Sequence, residues 1–195
     1  NTALGHLSLS ALTTGNYNVA LGYGCLGAAN SESNNVAIGY LALRDLTGGY
    51  STNVAIGYRA GLELTNASSN IFIGGDAGRE SVSGANNVAI GLNALSNTTT
   101  ALDNVSIGYG SMGAIPSGQA VQHCVAIGRE ALEGAAGTTT GANGTVAVGY
   151  QALTALTSGA GNIAIGYESA KNMTTGARNT VIGHQAGVQQ DDCVD

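Results

Sequence analysis

The feature that most constrains this chain is a six-residue motif that recurs in register from one end to the other. The motif NVAIGY occupies residues 35–40 and, unchanged, residues 53–58. Aligned on the motif glycine, the chain divides into eleven units whose glycines are 17, 17, 18, 17, 17, 17, 20, 21, 17 and 17 residues apart. A fixed period of this length is typical of a solenoid, in which each unit forms one coil and the coils stack. We therefore predict one repeat array over residues 1–195 and, because both ends resemble interior units, an excerpt of a longer fibre.

The first half of each unit predicts a short parallel strand. In the tetrad Val36, Ala37, Ile38, Gly39, branched residues alternate with small ones, and this alternation sends the two sets to opposite faces of a strand. Both faces are apolar, so both are expected to be buried. We expect Val and Ile to fill the interior of the coil, and Ala and Gly to admit the backbone of a partner chain.

The second half of the unit does not alternate in this way. Leu43 and Leu46 are three residues apart, as are Leu153 and Leu156, which is helical spacing. Two structures fit this segment, a short helical turn and a second strand with a bulge. The predicted fold is a mainly β repeat solenoid of stacked coils of about 17 residues, each with one short parallel strand and one of these two elements.

Stacking brings equivalent residues into columns, and two of these columns are predicted to hold the array together. The asparagine that opens the motif can donate to one neighbouring coil and accept from the other, as in the amide ladders of cross-β structures. The predicted asparagines are Asn18, Asn35, Asn53, Asn70, Asn87, Asn104, Asn162 and Asn179. The motif glycine is expected to let layers of backbone approach closely. These glycines are Gly22, Gly39, Gly57, Gly74, Gly91, Gly108, Gly128, Gly149, Gly166 and Gly183.

Composition argues against several classes of function. The formal net charge is -6 and the six Lys and Arg are scattered singly, so there is no basic stripe for nucleic acid. No apolar run reaches the roughly 18 residues of a membrane-spanning helix. The three cysteines are far apart and form no metal-binding or disulfide pattern. The three histidines lie in separate units and no carboxylate pair recurs in register, so we expect neither an enzyme nor a cofactor or metal.

One slot and two insertions are candidates for ligand binding. The residue after the motif glycine is usually aromatic, at Tyr23, Tyr40, Tyr58, Tyr109, Tyr150 and Tyr167, with His6 and His184 in the same register. A row of tyrosines could pack against sugar rings, or it could cover the coil edge or a seam between chains. Units seven and eight are lengthened by residues 116–123 and 135–144, which are expected to form loops. His123, in the first insertion, is a further candidate.

The NVAIG core, recurring in register and followed by an ALxxLT segment, resembles the head repeats of trimeric autotransporter adhesins and, more closely, repeats of bacteriophage tail fibres. The resemblance covers all eleven units. It implies a left-handed parallel β-roll shared by three chains, in a rod that holds or presents an adhesive tip. It also implies a place outside the cell, on a virion or a cell-surface appendage. The unit here is longer than the adhesin repeat, and the extra residues leave room for a helical turn.

Three functional hypotheses follow. The resemblance favours a structural and adhesive fibre segment, whose partners would be further copies of the chain and a cell-surface glycan or receptor. Threonine-rich corners at residues 13–14, 98–100 and 174–175 suggest an ice-binding solenoid, although a flat TxT array is missing. The third hypothesis is a glycan-binding module without a role as a shaft.

Overall fold

The computed structural model describes residues 1–48, 51–116, 119, 121–134 and 141–188, and it shows a parallel β-solenoid. Eleven strands pair in chain order into one sheet, so each inner strand lies between the strands of the coils before and after it. The strands are β1 Thr2–Leu4, β2 Val19–Leu21, β3 Val36–Ile38, β4 Val54–Ile56, β5 Ile71–Ile73, β6 Val88–Ile90, β7 Val105–Ile107, β8 Val125–Ile127, β9 Val146–Val148, β10 Ile163–Ile165 and β11 Thr180–Ile182. The prediction of one short parallel strand per unit is confirmed, and coils are numbered below with their strands.

The register is the same at every step of the sheet. Val36 pairs with Val54 and Ile38 pairs with Ile56, so equivalent motif residues lie directly above one another. Neighbouring strands in a sheet are ~4.8 Å apart, so eleven coils make a sheet about 50 Å long.

The two faces of the strand are the reverse of the prediction. The middle residue of the strand faces the interior and is 0–1% exposed in nine coils, at Ala20, Ala37, Ala55, Phe72, Ala89, Ser106, Ala126, Ala147 and Ala164. Val36 and Ile38, on either side, are only partly buried. The reason is the narrow coil, whose turn half supplies buried leucines such as Leu43, leaving room for only a small side chain opposite. Val and Ile therefore form the outer face of the sheet.

The motif glycine faces the next coil of the same chain, so the expected contact of Ala and Gly with a partner backbone is wrong. All ten predicted glycines have φ between 130° and 140°. A Cβ built on Gly91 would lie 2.6 Å from the carbonyl oxygen of Gly108 in the following coil. Real Cβ atoms do not come so close to a backbone oxygen, so the stacking distance itself requires glycine.

The second half of the unit is neither of the two predicted elements. None of the described residues is helical, and the segment after each motif glycine is a run of turns. Alternate residues in it are left-handed, as at Leu41 with φ 56° and Leu43 with φ 50°. The turns hydrogen-bond to the next coil, as when the Leu43 N–H donates to the Ala60 carbonyl at 3.0 Å. Helical bonds would close within the segment, whereas these bonds let the turn half stack with the same period as the strand.

The volume of the interior is conserved by paired changes of side-chain size. Most coils combine a strand alanine with a large apolar residue four positions after the motif glycine, such as Ala37 with Leu43. Coil five instead has Phe72 in the strand and Gly78 four positions after its motif glycine. Coil four has Gly61 at the equivalent position of its turn half. A Cβ built on Gly78 would lie 2.7 Å from the Phe72 ring, and one built on Gly61 would lie 3.0 Å from it. The ring therefore occupies the space that leucines fill in other coils.

We expect Phe72 and Gly78 to be energetically coupled. Phe72→Ala should lower the free energy of unfolding by about 3–5 kcal/mol through the cavity it leaves. Gly78→Leu should cost about 1–3 kcal/mol by overpacking against the ring. The double variant recreates the Ala–Leu pairing of other coils, so its cost should be smaller than the sum by about 2 kcal/mol or more. Urea unfolding of the four proteins measures this coupling, and strictly additive costs would contradict the interpretation.

We expect Gly91→Ala to be strongly destabilising, because the added Cβ collides with the Gly108 carbonyl. The free energy of unfolding should fall by about 3 kcal/mol or more. Gly110→Ala is a matched control, since Gly110 is left-handed (φ +62°) but its Cβ would be 3.6 Å from the nearest atom, on Glu130. The control should lose about 1–2 kcal/mol, the cost of the left-handed conformation alone. Equal losses in urea denaturation would show that close stacking is not what demands glycine at position 91.

Candidate functional site

Three sets of side chains recur along the rod and are the candidates for function. The asparagine column comprises the first residue of the motif, and the tyrosine column comprises the residue after the motif glycine. The outer strip comprises the Val, Ile and Leu side chains on the outer face of the sheet.

The asparagine column is buried and joins each coil to the next. The Asn87 backbone N–H donates to Asn70 Oδ1 at 3.0 Å, and Asn87 Nδ2 donates to the same oxygen at 3.1 Å. Asn87 Nδ2 also donates to the Ala101 carbonyl at 2.8 Å, which ties the end of the coil to its beginning. Asn87 Oδ1 in turn accepts from Asn104. The amide is thus fully used within the rod and stabilises the stack.

The column is continuous in coils one to seven and is then interrupted twice. Its first part is Asn1, Asn18, Asn35, Asn53, Asn70, Asn87 and Asn104, and it resumes with Asn162 and Asn179. Coil eight carries Cys124, whose N–H still donates to Asn104 Oδ1 at 3.0 Å and whose thiol donates to the Ala142 carbonyl at 3.1 Å. Burial raises the pKa of the Cys124 thiol, so it stays protonated and can donate. Coil nine carries Thr145, whose buried hydroxyl has no hydrogen-bond partner among the described residues.

The tyrosine column forms two stacks of rings. In the first, the ring centroid of Tyr40 is 5.4 Å from those of Tyr23 and Tyr58, with the planes 14° and 9° apart. His6 begins this stack, 5.5 Å from Tyr23. The second stack, with separations of 5.2 and 5.1 Å, contains Tyr150, Tyr167 and His184.

The stacking decides which part of each ring faces solvent. A sugar ring packs against the face of an aromatic ring, but the faces of Tyr23 and Tyr40 are covered by their neighbours in the stack. These two residues remain 44% and 45% exposed, through ring edges and hydroxyls. The geometry therefore favours the structural interpretation of the column over a platform for sugar stacking.

Arginine side chains continue the column where tyrosine is missing. Gly75 occupies the slot in coil five, and there the Arg59 guanidinium lies 4.8 Å from the Tyr58 ring centroid. Arg59 is held by Asp76, with Nε–Oδ1 and Nη2–Oδ2 distances of 2.8 and 3.0 Å. Arg129, in the slot of coil eight, lies 5.0 Å from the ring centroid of Tyr109. A guanidinium over a ring face is a favourable cation–π contact, so each arginine caps a tyrosine.

The acidic partner of Arg129 also connects two coils. Glu130 Oε1 accepts from Arg129 Nε at 3.0 Å, and Glu130 Oε2 accepts from Gln151 Nε2 of the next coil at 2.6 Å. The hydrogen bonds from Gln151 and Arg129 lower the pKa of the Glu130 carboxyl, which is therefore ionised at neutral pH.

His123 is exposed and lies beside an acidic residue of the preceding coil. Its Nε2 is 3.5 Å from Asp103 Oδ2, and Asp103 Oδ1 accepts from Asn86 Nδ2 at 3.0 Å. Much of the two insertions, at residues 117–118, 120 and 135–140, lies outside the described residues, so loop binding stays a prediction. Within the described ranges no three His, Cys, Asp or Glu side chains cluster as a metal site.

The threonine corners are used within the rod. Thr13 Oγ1 donates to the Asn30 carbonyl at 3.3 Å, and the Thr98 side chain is fully buried. These residues follow the turn half of the coil, so their hydroxyls are not presented on the flat sheet. The arrangement gives no support to an ice-binding face.

The outer strip is the surface feature that sequence reasoning missed. It has two columns of apolar side chains, Val19, Leu21, Val36, Ile38, Val54, Ile56, Ile71, Ile73, Val88, Ile90, Val105, Ile107, Val125, Ile127, Val146, Val148, Ile163 and Ile165. Ile71 and Ile165 are 39% and 38% exposed. A signal for this orientation was present in the sequence, because Phe72 replaces an alanine in the same coil where Gly78 replaces a leucine. That exchange indicates that the alanine position of the strand, and not the Val or Ile positions, shares the interior with the buried leucines.

No protein-family model matches the chain, and neither a curated protein nor a solved structure matches it. In the described part of the chain, no helix is long and apolar enough to cross a membrane.

We expect Asn87→Ala to be more destabilising than a typical loss of a hydrogen bond. The change leaves the Ala101 carbonyl and the Asn104 N–H unpaired inside the rod, and each buried unpaired group costs about 1–3 kcal/mol. The free energy of unfolding should fall by about 3 kcal/mol or more. Asn172→Ala is the control, since its exposed amide makes one bond, to the Val188 carbonyl. Its loss should stay within about 1 kcal/mol, and similar losses in both variants would contradict a stabilising role for the column.

Proposed function

We propose that the chain is a structural segment of an extracellular fibre, a stiff homotrimeric shaft of a tail fibre or surface adhesin that positions a host-recognition surface. The observation that carries the proposal is the outer strip. A strip about 50 Å long and about 10 Å wide has an area near 500 Å², which is comparable with the largest apolar patches on monomeric proteins. Patches of this size are often functional, and this one is suited to contact with a partner.

Further copies of the same chain are the partner that fits the strip best. Their sheets repeat with the same spacing of ~4.8 Å, so branched side chains such as Ile38 and Ile56 can interdigitate in every coil. The strip carries no charged side chain between β1 and β11, so the net charge of the chain does not oppose self-association there. The number three is supported by the resemblance of the NVAIG repeats to trimeric fibres, and a closed ring covers all strips equally.

The inner construction suits a shaft. Backbone bonds, asparagine amides and stacked rings all run along the rod axis, so load along the axis is shared by several columns. We assign the tyrosine column to this structural role, at the edge of the outer strip. The recognition surface would then lie in the loops of coils seven and eight or in another part of the fibre.

Sedimentation equilibrium at micromolar concentration tests the proposal. We expect a mass near three times 19.2 kDa for the chain. Ile56→Lys combined with Ile90→Lys places two cations in the outer strip and should give monomers, because a buried unpaired charge is costly. Asn97→Lys adds a charge on the turn half and should leave the trimer intact. Circular dichroism verifies that each variant keeps its sheet. A compact wild-type monomer, or a trimer unaffected by the double substitution, would contradict the proposal.

A further inference from the structure

Two of the stabilising columns fail at the same place, the boundary between coils eight and nine. We propose that this boundary is a joint, where the rod opens locally before it opens anywhere else in its interior. The proposal concerns the single chain and does not depend on the proposed trimer.

The first observation is the loss of the asparagine amides. Coil eight carries Cys124, whose thiol donates to the Ala142 carbonyl of the same coil, and sulfur is a weak hydrogen-bond acceptor compared with an amide oxygen. Coil nine carries Thr145, whose buried hydroxyl has no hydrogen-bond partner in the described ranges. In coils one to seven every boundary carries two bonds to an asparagine Oδ1, like those of Asn87 to Asn70. Among the described residues, the boundaries on both sides of coil nine therefore lack a bond to an asparagine Oδ1, but between coils nine and ten the stacked rings of Tyr150 and Tyr167 remain.

The second observation is the interruption of the tyrosine column at the same boundary. Arg129 occupies the slot in coil eight, and it lies over Tyr109 of coil seven. Among the described rings, Tyr150 of coil nine stacks with Tyr167 of coil ten. The aromatic column is also interrupted in coils five and six, but there Asn70 and Asn87 keep the asparagine column intact. At the boundary between coils eight and nine, the asparagine column and the tyrosine column are both interrupted.

The boundary is closed in the structure, because its backbone bonds are intact. The Val125 N–H donates to the Thr145 carbonyl at 2.9 Å, and the Gly149 N–H donates to the Ile127 carbonyl at 2.8 Å. On the turn half, Gln151 remains bonded to Glu130. Opening should therefore begin on the strand side and occur as a thermal fluctuation. In a linear array the stability of each boundary adds almost independently, so a local deficit remains local.

Hydrogen exchange resolved to single amides in the full chain tests the proposal. The amides of Val125 and Gly149 report on the joint. The amides of Ile71 and Gly91, which make the same bonds between coils five and six, are the matched reference. A deficit of one or two hydrogen bonds corresponds to a factor of about 5 to 30 in the opening equilibrium. We expect the Val125 and Gly149 amides to exchange faster than the reference amides by that factor.

Restoring the column should close the joint. In Cys124→Asn combined with Thr145→Asn, the column runs without interruption from coil one to coil eleven, and the difference in exchange rate should fall to about twofold or less. Thr145→Val is the control, because it removes the unpartnered hydroxyl and adds no amide. This variant should retain most of the difference.

Two results would overturn the proposal. One is equal exchange at the two boundaries in the wild-type chain, a comparison that needs no variant to fold. The other is a folded double-asparagine variant in which the joint amides exchange as fast as in Thr145→Val.

Discussion

Hydrogen bonding between successive coils is the interaction on which the rest of this structure depends. It sets the spacing of ~4.8 Å, and every coil must then place equivalent atoms one strand spacing apart. The motif glycine is required because a Cβ at Gly91 would meet the Gly108 carbonyl. Asparagine is favoured because its side chain both donates and accepts along the same direction. Even the turn half obeys this spacing, with alternate left-handed residues directing its bonds to the next coil.

The second constraint is the narrow interior between strand and turns. A leucine of the turn half, such as Leu43, usually fills the space opposite the strand. Alanine therefore occupies the inner face of the strand, and the branched residues are left outside. In coil five the large side chain is on the strand and the small ones are on the turn half, since the Phe72 ring is accommodated by glycine at positions 61 and 78. The outer strip is thus a consequence of how the interior is filled, and it is also the surface that supports the proposed fibre.

The tyrosine column, predicted as a candidate ligand site, has the geometry of a structural element. The tyrosines lie in one column, as their register indicates, but Tyr40 is stacked between two neighbours and offers only its edge and hydroxyl to solvent. Sequence spacing predicts that such residues are neighbours, yet it does not give the orientation of the rings. The roles of Arg59 and Arg129 were not predicted either, because a guanidinium that replaces a ring has no signature in the repeat.

The sequence by itself determined the period, the parallel strand in every unit, and the residues that share a column, because identical units can pair only in register. The alternation of the motif did not determine which face of the strand is inside, since Val36 and Ala37 are both apolar, and only the paired exchange of Phe72 and Gly78 indicated the alanine face. Nor did it determine the turn half, where leucines three residues apart fit more than one local structure. The tertiary structure decided both, because leucines of the turn half fill the interior opposite the strand and every coil must bond to the next.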